Sequence, residues 1–212
     1  MAKAPASERL LIDGPAGQLE ALLELPNKVA PVALAVICHP HPLHGGTMLN
    51  KVVHTLARAC VASDFATLRF NFRGVGESAG GFDEAIGEFD DAIAAVSWLR
   101  NRYPELPVWL AGFSFGGAIA IRVARHMETA GLVSVAPAVR RFAADVTAPP
   151  QCPWLLVQGD EDELVDIEET IAFVNKLDPG PELAIFEGGE HFFHGRLVEL
   201  RNIVEDFIAA SS

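Results

Sequence analysis

Ser114 stands in "GFSFGG" (112–117), directly after the apolar run "PVWLAGF" (107–113) and ahead of a helix-period stretch. A serine flanked by glycines at a sharp strand-to-helix turn presents its hydroxyl outside the chain, as an acyl-transfer nucleophile must. A serine hydroxyl is a weak nucleophile, so it needs a base, and the base needs a third group to orient it. Two later strand ends carry the residue types required. "GDEDELV" (159–165) holds Asp160 and Asp162, and "GGEHFFHG" (188–195) holds His191 and His194. Asp162 lies further into its loop than Asp160, and His191 comes one residue after a Gly-Gly pair, which favours these two. Either aspartate also suits a plain turn residue ahead of a helix, and His191 suits a histidine packed by Phe192 and Phe193.

The elements that must position these residues alternate along the chain. "VALAVIC" (32–38), "ATLRFNF" (66–72), "PVWLAGF" (107–113), "GLVSVA" (131–136), "PWLLVQG" (153–159) and "ELAIFEG" (182–188) read as strands. Most are apolar throughout, as parallel strands buried on both faces are. Helical stretches fall between them, around 48–62, 83–101, 116–127, 166–177 and 196–209. Ahead of these, "SERLLIDGPAGQLEALLELP" (7–26) predicts an antiparallel hairpin at the sheet edge. The expected architecture is α/β: a mostly parallel, doubly wound sheet of about eight strands with helices on both faces, the whole of 1–212 forming one domain. Ligands in such sheets bind beyond the carboxyl ends of the strands, where all three chemical motifs fall. The order Ser, Asp, His along the chain is that of the α/β-hydrolase fold.

Together with "NFRGVGES" (71–78) and "HPHPLHGGTMLNK" (39–51), these motifs resemble those of small bacterial α/β-hydrolase serine hydrolases similar to carboxylesterases and dienelactone hydrolases. The resemblance spans nearly the whole chain. Its pattern G-x-x-D-x-x-V matches Gly159, Asp162 and Val165, which implies Asp162 as the acidic member beside Ser114 and His191. Dienelactone hydrolases have a cysteine nucleophile where this chain has Ser114, a departure that implies ordinary ester hydrolysis. Relatives often insert a lid after the sixth strand of the fold; here "PAVRRFAADVTAPPQC" (137–152) leaves room for one short helix at most, so a lidless site is expected.

"CHPHPLHGG" (38–46) first raises the question of a metal, because it gathers Cys38, His39, His41 and His44. No partner cluster with ligand spacing accompanies it, and the expectation is no metal and no cofactor. In this fold the loop after the strand at 32–38 supplies one oxyanion donor, and the N–H following the nucleophile, that of Phe115, supplies the other. Pro40 and Pro42 have no N–H, so His41 is the donor available between positions 40 and 42. His39 and His44 are expected to hydrogen-bond the loop or line the cleft, and Cys38 to be a small buried strand residue. Arg73 and Glu77 suit either substrate binding or a brace between loops. Arg140 and Arg141 suit either a cleft border that favours an anionic or polar substrate end, or a solvated surface pair.

Composition limits the partners. Half of the 212 residues are hydrophobic, enough for a large core, and 28 acidic against 16 basic side chains give a net charge of −12. Such a chain repels phosphate backbones and anionic lipid, which argues against nucleic acid and membrane as partners. Three widely spaced cysteines form no disulfide framework, and "MAKAPASERL" has no signal-peptide core. The expectation is a cytoplasmic serine hydrolase acting on a small-molecule ester, in an oligomeric state the chain does not reveal. The alternatives are a peptidase of the same fold and a non-catalytic binding protein that keeps it.

Overall fold

A computed structural model describes residues 6–27 and 29–211. The chain opens with the antiparallel pair β1 (Ala6–Gly14) and β2 (Gly17–Leu25), turned at Pro15-Ala16. It continues with β3 (Ala33–Cys38), α1 (Lys51–Ala62), β4 (Phe65–Phe70), α2 (Gly87–Arg102), β5 (Val108–Phe113) and α3 (Phe115–Ala124). The last third holds β6 (Gly131–Val135), α4 (Val139–Phe142), β7 (Trp154–Gly159), α5 (Ile167–Val174), β8 (Glu182–Phe186) and α6 (Leu197–Ser211). One sheet of eight strands runs β1-β2-β4-β3-β5-β6-β7-β8. β2 meets β4 antiparallel, and from β4 to β8 every pairing is parallel.

Strands β3 to β7 are buried along their whole length, because helices cover both faces. One apolar layer joins α1 and α6 to residues such as Ile37, Phe113 and Val157. The opposite layer joins α2, α3 and α5 to Val36, Leu110 and Leu156. β2 alternates over most of its length, burying Leu19, Ala21 and Leu23, and then also buries Glu24, which accepts from Arg69 Nε at 2.9 Å. Between β6 and β7 the chain forms only the one-turn α4, so no lid covers the carboxyl ends of the strands. Among the described residues, no helix is long and apolar enough to cross a membrane.

The expected helix at 83–101 starts later, at Gly87. Glu84 and Ala85 take positive φ values of 49° and 68°, which a helix cannot accommodate. The Glu88 carboxylate explains why this turn persists: it is buried and accepts hydrogen bonds from the Asp83 and Ala85 N–H groups. Arg73 acts as a brace. Its guanidinium donates to both oxygens of the fully buried Asp91 at 3.0 and 2.8 Å, and its N–H donates to the same carboxylate at 3.0 Å. Hydrogen bonding to Asp91 raises the Arg73 pKa further. Among the described residues, Glu77 contributes its backbone N–H, to the Glu20 carboxylate.

Removing one partner of a buried ion pair leaves the other charge uncompensated, at a cost of about 3–5 kcal/mol. Asp91→Ala is therefore expected to lose stability on that scale in urea unfolding. A loss under about 1 kcal/mol would show that the pair behaves as a surface bridge.

Candidate active site

β5 lies between β3 and β6, and Ser114 follows it with φ 55° and ψ −115°. A non-glycine residue there is strained by on the order of 1–3 kcal/mol and needs neighbours that hold it. The Ser114 N–H donates to Val135 O at 2.9 Å, and Ser114 O accepts from Ala118 and Ala138 N–H at 3.2 and 3.1 Å. The two glycines of the pentapeptide are required by close approach. A Cβ on Gly112 would lie 2.2 Å from Gly116 O, and one on Gly116 would lie 2.3 Å from Cys38 O. The start of α3 thus packs directly on the end of β3.

His191 and Asp162 meet beyond β8 and β7. His191 Nδ1 donates to Asp162 Oδ2 at 2.8 Å, both side chains being essentially buried. Gln158 Nε2 donates to the same oxygen at 3.0 Å, while Leu164 and Val165 N–H groups donate to Oδ1 at 2.8 Å each. Burial alone would raise the Asp162 carboxyl. The hydrogen bond and charge of His191, with the two backbone N–H groups, outweigh burial and hold it below the usual aspartate value. An ionised Asp162 fixes His191 as the Nδ1–H tautomer, which leaves Nε2 with a lone pair. Phe113 and Phe192, with ring centroids 4.9 and 5.0 Å away, wall the imidazole in. Asp160 instead accepts from Gly188 N–H at 2.6 Å, and His194 pairs with Glu190 on the exposed surface.

Ser114, His191, His41 and Phe115 line one open cavity of about 650 Å³. Among the described residues, neither the His41 nor the Phe115 N–H donates to a protein acceptor. The loop that carries His41 is held by His39, which is fully buried. His39 Nδ1 bonds Pro40 O at 2.6 Å, and Nε2 accepts from Phe72 N–H at 3.0 Å. Asn71 adds a second tie, accepting from Met48 N–H at 2.8 Å. His44 lies on the cavity wall, its ring 4.6 Å from that of His41. Cys38 is fully buried in β3, and burial pushes its thiol pKa up. Among the described residues, no group of His, Cys, Asp and Glu could hold a metal ion.

The family model described as serine aminopeptidase, S33, matches residues 33–151, more than half of the chain. An uncharacterized protein of Rickettsia prowazekii (strain Madrid E) is 35% identical over 94% of this chain and 88% of its own length. The structure of an α/β serine hydrolase homologue from Coxiella burnetii superposes with a TM-score of 0.90 at 45% identity, covering 97% of this chain and 98% of the other. The chain belongs to this family of α/β serine hydrolases. A serine hydrolase without lid from Xanthomonas campestris is similar over 99% of this chain and 96% of its own, at 38% identity and a TM-score of 0.92. Est1E of Butyrivibrio proteoclasticus, whose structure was solved with ferulic acid, shares the fold at 20% identity and a TM-score of 0.85.

Three features of this serine hydrolase escape the sequence reading. His39 joins two loops rather than bonding only its own, Gln158 supports Asp162, and Phe142 with Phe115 builds an apolar wall, their rings 4.8 Å apart. Each contact joins distant or differently folded segments, so only the residue type could hint at it.

His39 also sets a pH dependence. Burial, partly offset by the bond to Pro40, lowers its pKa from 6.5 to about 4. Protonated Nε2 would oppose the Phe72 N–H, donor against donor. Because the folded value is depressed, the unfolded chain takes up the proton first. The stability from neutral His39 is complete above about pH 6.5 and is lost as pH falls toward 4, by about 3 kcal/mol. Urea titrations should therefore show the gap between wild type and His39→Asn narrowing over that interval; a constant gap would contradict this.

Proposed function

We propose that the protein hydrolyses small carboxylic esters or thioesters through an acyl-enzyme, with 1–212 working as one domain in the cytoplasm. The observation that carries this reading is the buried Asp162–His191 hydrogen bond on the wall shared with the strained Ser114. Ser114 Oγ attacks the carbonyl carbon while His191 Nε2 takes the hydroxyl proton. The tetrahedral intermediate collapses, the carbon–oxygen or carbon–sulfur bond breaks, and His191 returns the proton to the leaving group. Water then attacks the acyl-serine, again with His191 as base, releasing the acid and restoring Ser114. Asp162 stays ionised throughout and stabilises the imidazolium.

The negative oxygen is held by the His41 and Phe115 N–H groups, the latter at the start of α3, where the helix's own acceptors are absent. His39 supports this assignment through the peptide plane. In a trans peptide the Pro40 C=O and the His41 N–H point in opposite directions, so fixing one fixes the other. The open cavity suits small esters that need no lid, and Phe115, Phe142, Leu164 and Phe192 give its walls an apolar part.

The family's description raises a second reading, an aminopeptidase. Such an enzyme must receive a free α-ammonium. The one carboxylate among the residues lining the cavity, Glu169, is already paired with Arg140. This favours esters over amino-terminal peptides.

Ser114→Ala should abolish p-nitrophenyl acetate hydrolysis, lowering kcat by roughly a millionfold, while keeping the wild-type unfolding transition. Wild-type turnover by that variant would exclude the mechanism. Asp162→Asn should cost about 10⁴ in kcat. His39→Gln keeps a group that can reach Phe72 but loses the donor to Pro40, and should lower kcat about 10–100-fold with KM nearly unchanged. His39→Asn retains a donor near Nδ1 and should lose less. Equal losses in the two variants would remove His39 from the oxyanion account.

A further inference from the structure

The protein carries 28 acidic and 16 basic side chains, yet the walls beside Ser114 have the opposite balance. The cavity is lined by Arg140 and Arg141 against the single carboxylate of Glu169. A second cavity of about 630 Å³ shares Val139, Arg140 and Glu169 with it and adds Lys176. The Arg140–Glu169 ion pair therefore stands on the wall common to both cavities, and across the two together three cations face one anion.

The three cations are not equivalent. Arg140 is neutralised by Glu169. Arg141 and Lys176 have no carboxylate within ion-pair distance among the described residues. The Arg141 guanidinium lies 5.0 Å from the centre of the Phe142 ring, and Phe142 packs 4.8 Å from the Phe115 ring. The helix that bears Arg141 is tied to the nucleophile by the Ala138 N–H to Ser114 O bond. An unpaired, fully hydrated arginine costs nothing on a surface, but one braced on an aromatic wall of a reaction cavity presents a planar set of donors to whatever enters.

From this arrangement we infer that the substrate carries an anionic group, carboxylate or phosphate, which Arg141 receives while its ester or thioester carbonyl lies at Ser114. This rests on the ester-hydrolase reading above and narrows it to anionic substrates. Lys176, beyond the Arg140–Glu169 pair, extends the same preference into the second cavity.

The test compares substrates matched in size. Mono-p-nitrophenyl adipate against p-nitrophenyl heptanoate places a carboxylate on the acyl side; S-acetyl-4′-phosphopantetheine against S-acetylpantetheine places a phosphate on the leaving-group side. In at least one pair, Arg141→Gln should lower kcat/KM for the anionic member about tenfold more than for the neutral member. Arg141→Lys should recover part of that difference, and 0.5 M salt should diminish it. Arg102→Gln, on α2 and paired with Glu8 away from the cavity, should leave the ratio at its wild-type value. The pair that responds identifies the anion's source. If Arg141→Gln changes both members of each pair equally, the inference is overturned. Calorimetric binding of adipate to Ser114→Ala protein, weakened by adding Arg141→Gln, reads the anion site without turnover. If Ser114→Ala still hydrolyses the neutral esters, it is the ester-hydrolase reading that fails, whatever Arg141 does.

Discussion

Ser114 is held in a backbone conformation that a residue with a side chain adopts only under compulsion, and the neighbouring elements supply the compulsion. Gly116 allows α3 to press against the carbonyls of Cys38 and His39, and Gly112 allows the turn to close on itself. One contact therefore does two things: it exposes the serine hydroxyl, and it brings the β3 loop against the first turn of α3. The two candidate oxyanion donors, His41 and Phe115, belong to those two segments. A side chain at Gly116 would separate them and relax the turn together. β5 is paired with β3 and β6 on its two sides, and the backbone hydrogen bonds of Ser114 itself run to Val135 at the end of β6, to Ala138 beyond it and to Ala118 of α3.

Around this turn, loops are fixed by buried polar side chains instead of by a covering domain. His39 joins the β3 loop to Phe72, Asn71 ties the same loop at Met48, and Asp91 anchors Arg73 in the neighbouring segment. Asp162 gathers four donors, so both its charge and its direction are set before substrate arrives. Such preorganisation explains how a site without a lid can hold its geometry while remaining open. It also predicts a sensitivity to acid: His39 works only as a neutral imidazole, with one nitrogen donating and the other accepting.

The parts legible in the sequence were those with a local signature. Apolar runs gave the parallel strands, and the candidate site lies at their carboxyl ends because helices fill both faces. Of the four candidates, Asp162 and His191 lie together, joined by a hydrogen bond of 2.8 Å. Asp160 braces Gly188 and His194 meets Glu190 in solvent. The start of α2 was not legible, because a left-handed turn at Glu84 and Ala85 is stabilised by a carboxylate further along, not by the turn residues themselves. Nor was the role of His39, whose partner Phe72 is 33 residues away. Arg140 and Arg141 looked alike in sequence; only the position of Glu169 across the cavity separates a neutralised cation from a free one.

The account stands on Ser114 being the activated nucleophile. Incubation with a fluorophosphonate, followed by intact-mass measurement and peptide mapping, tests this directly. The account predicts one adduct per chain, on Ser114, formed far more slowly when His191 is replaced by alanine. An unlabelled Ser114, or label distributed over other residues at comparable rates, would contradict it.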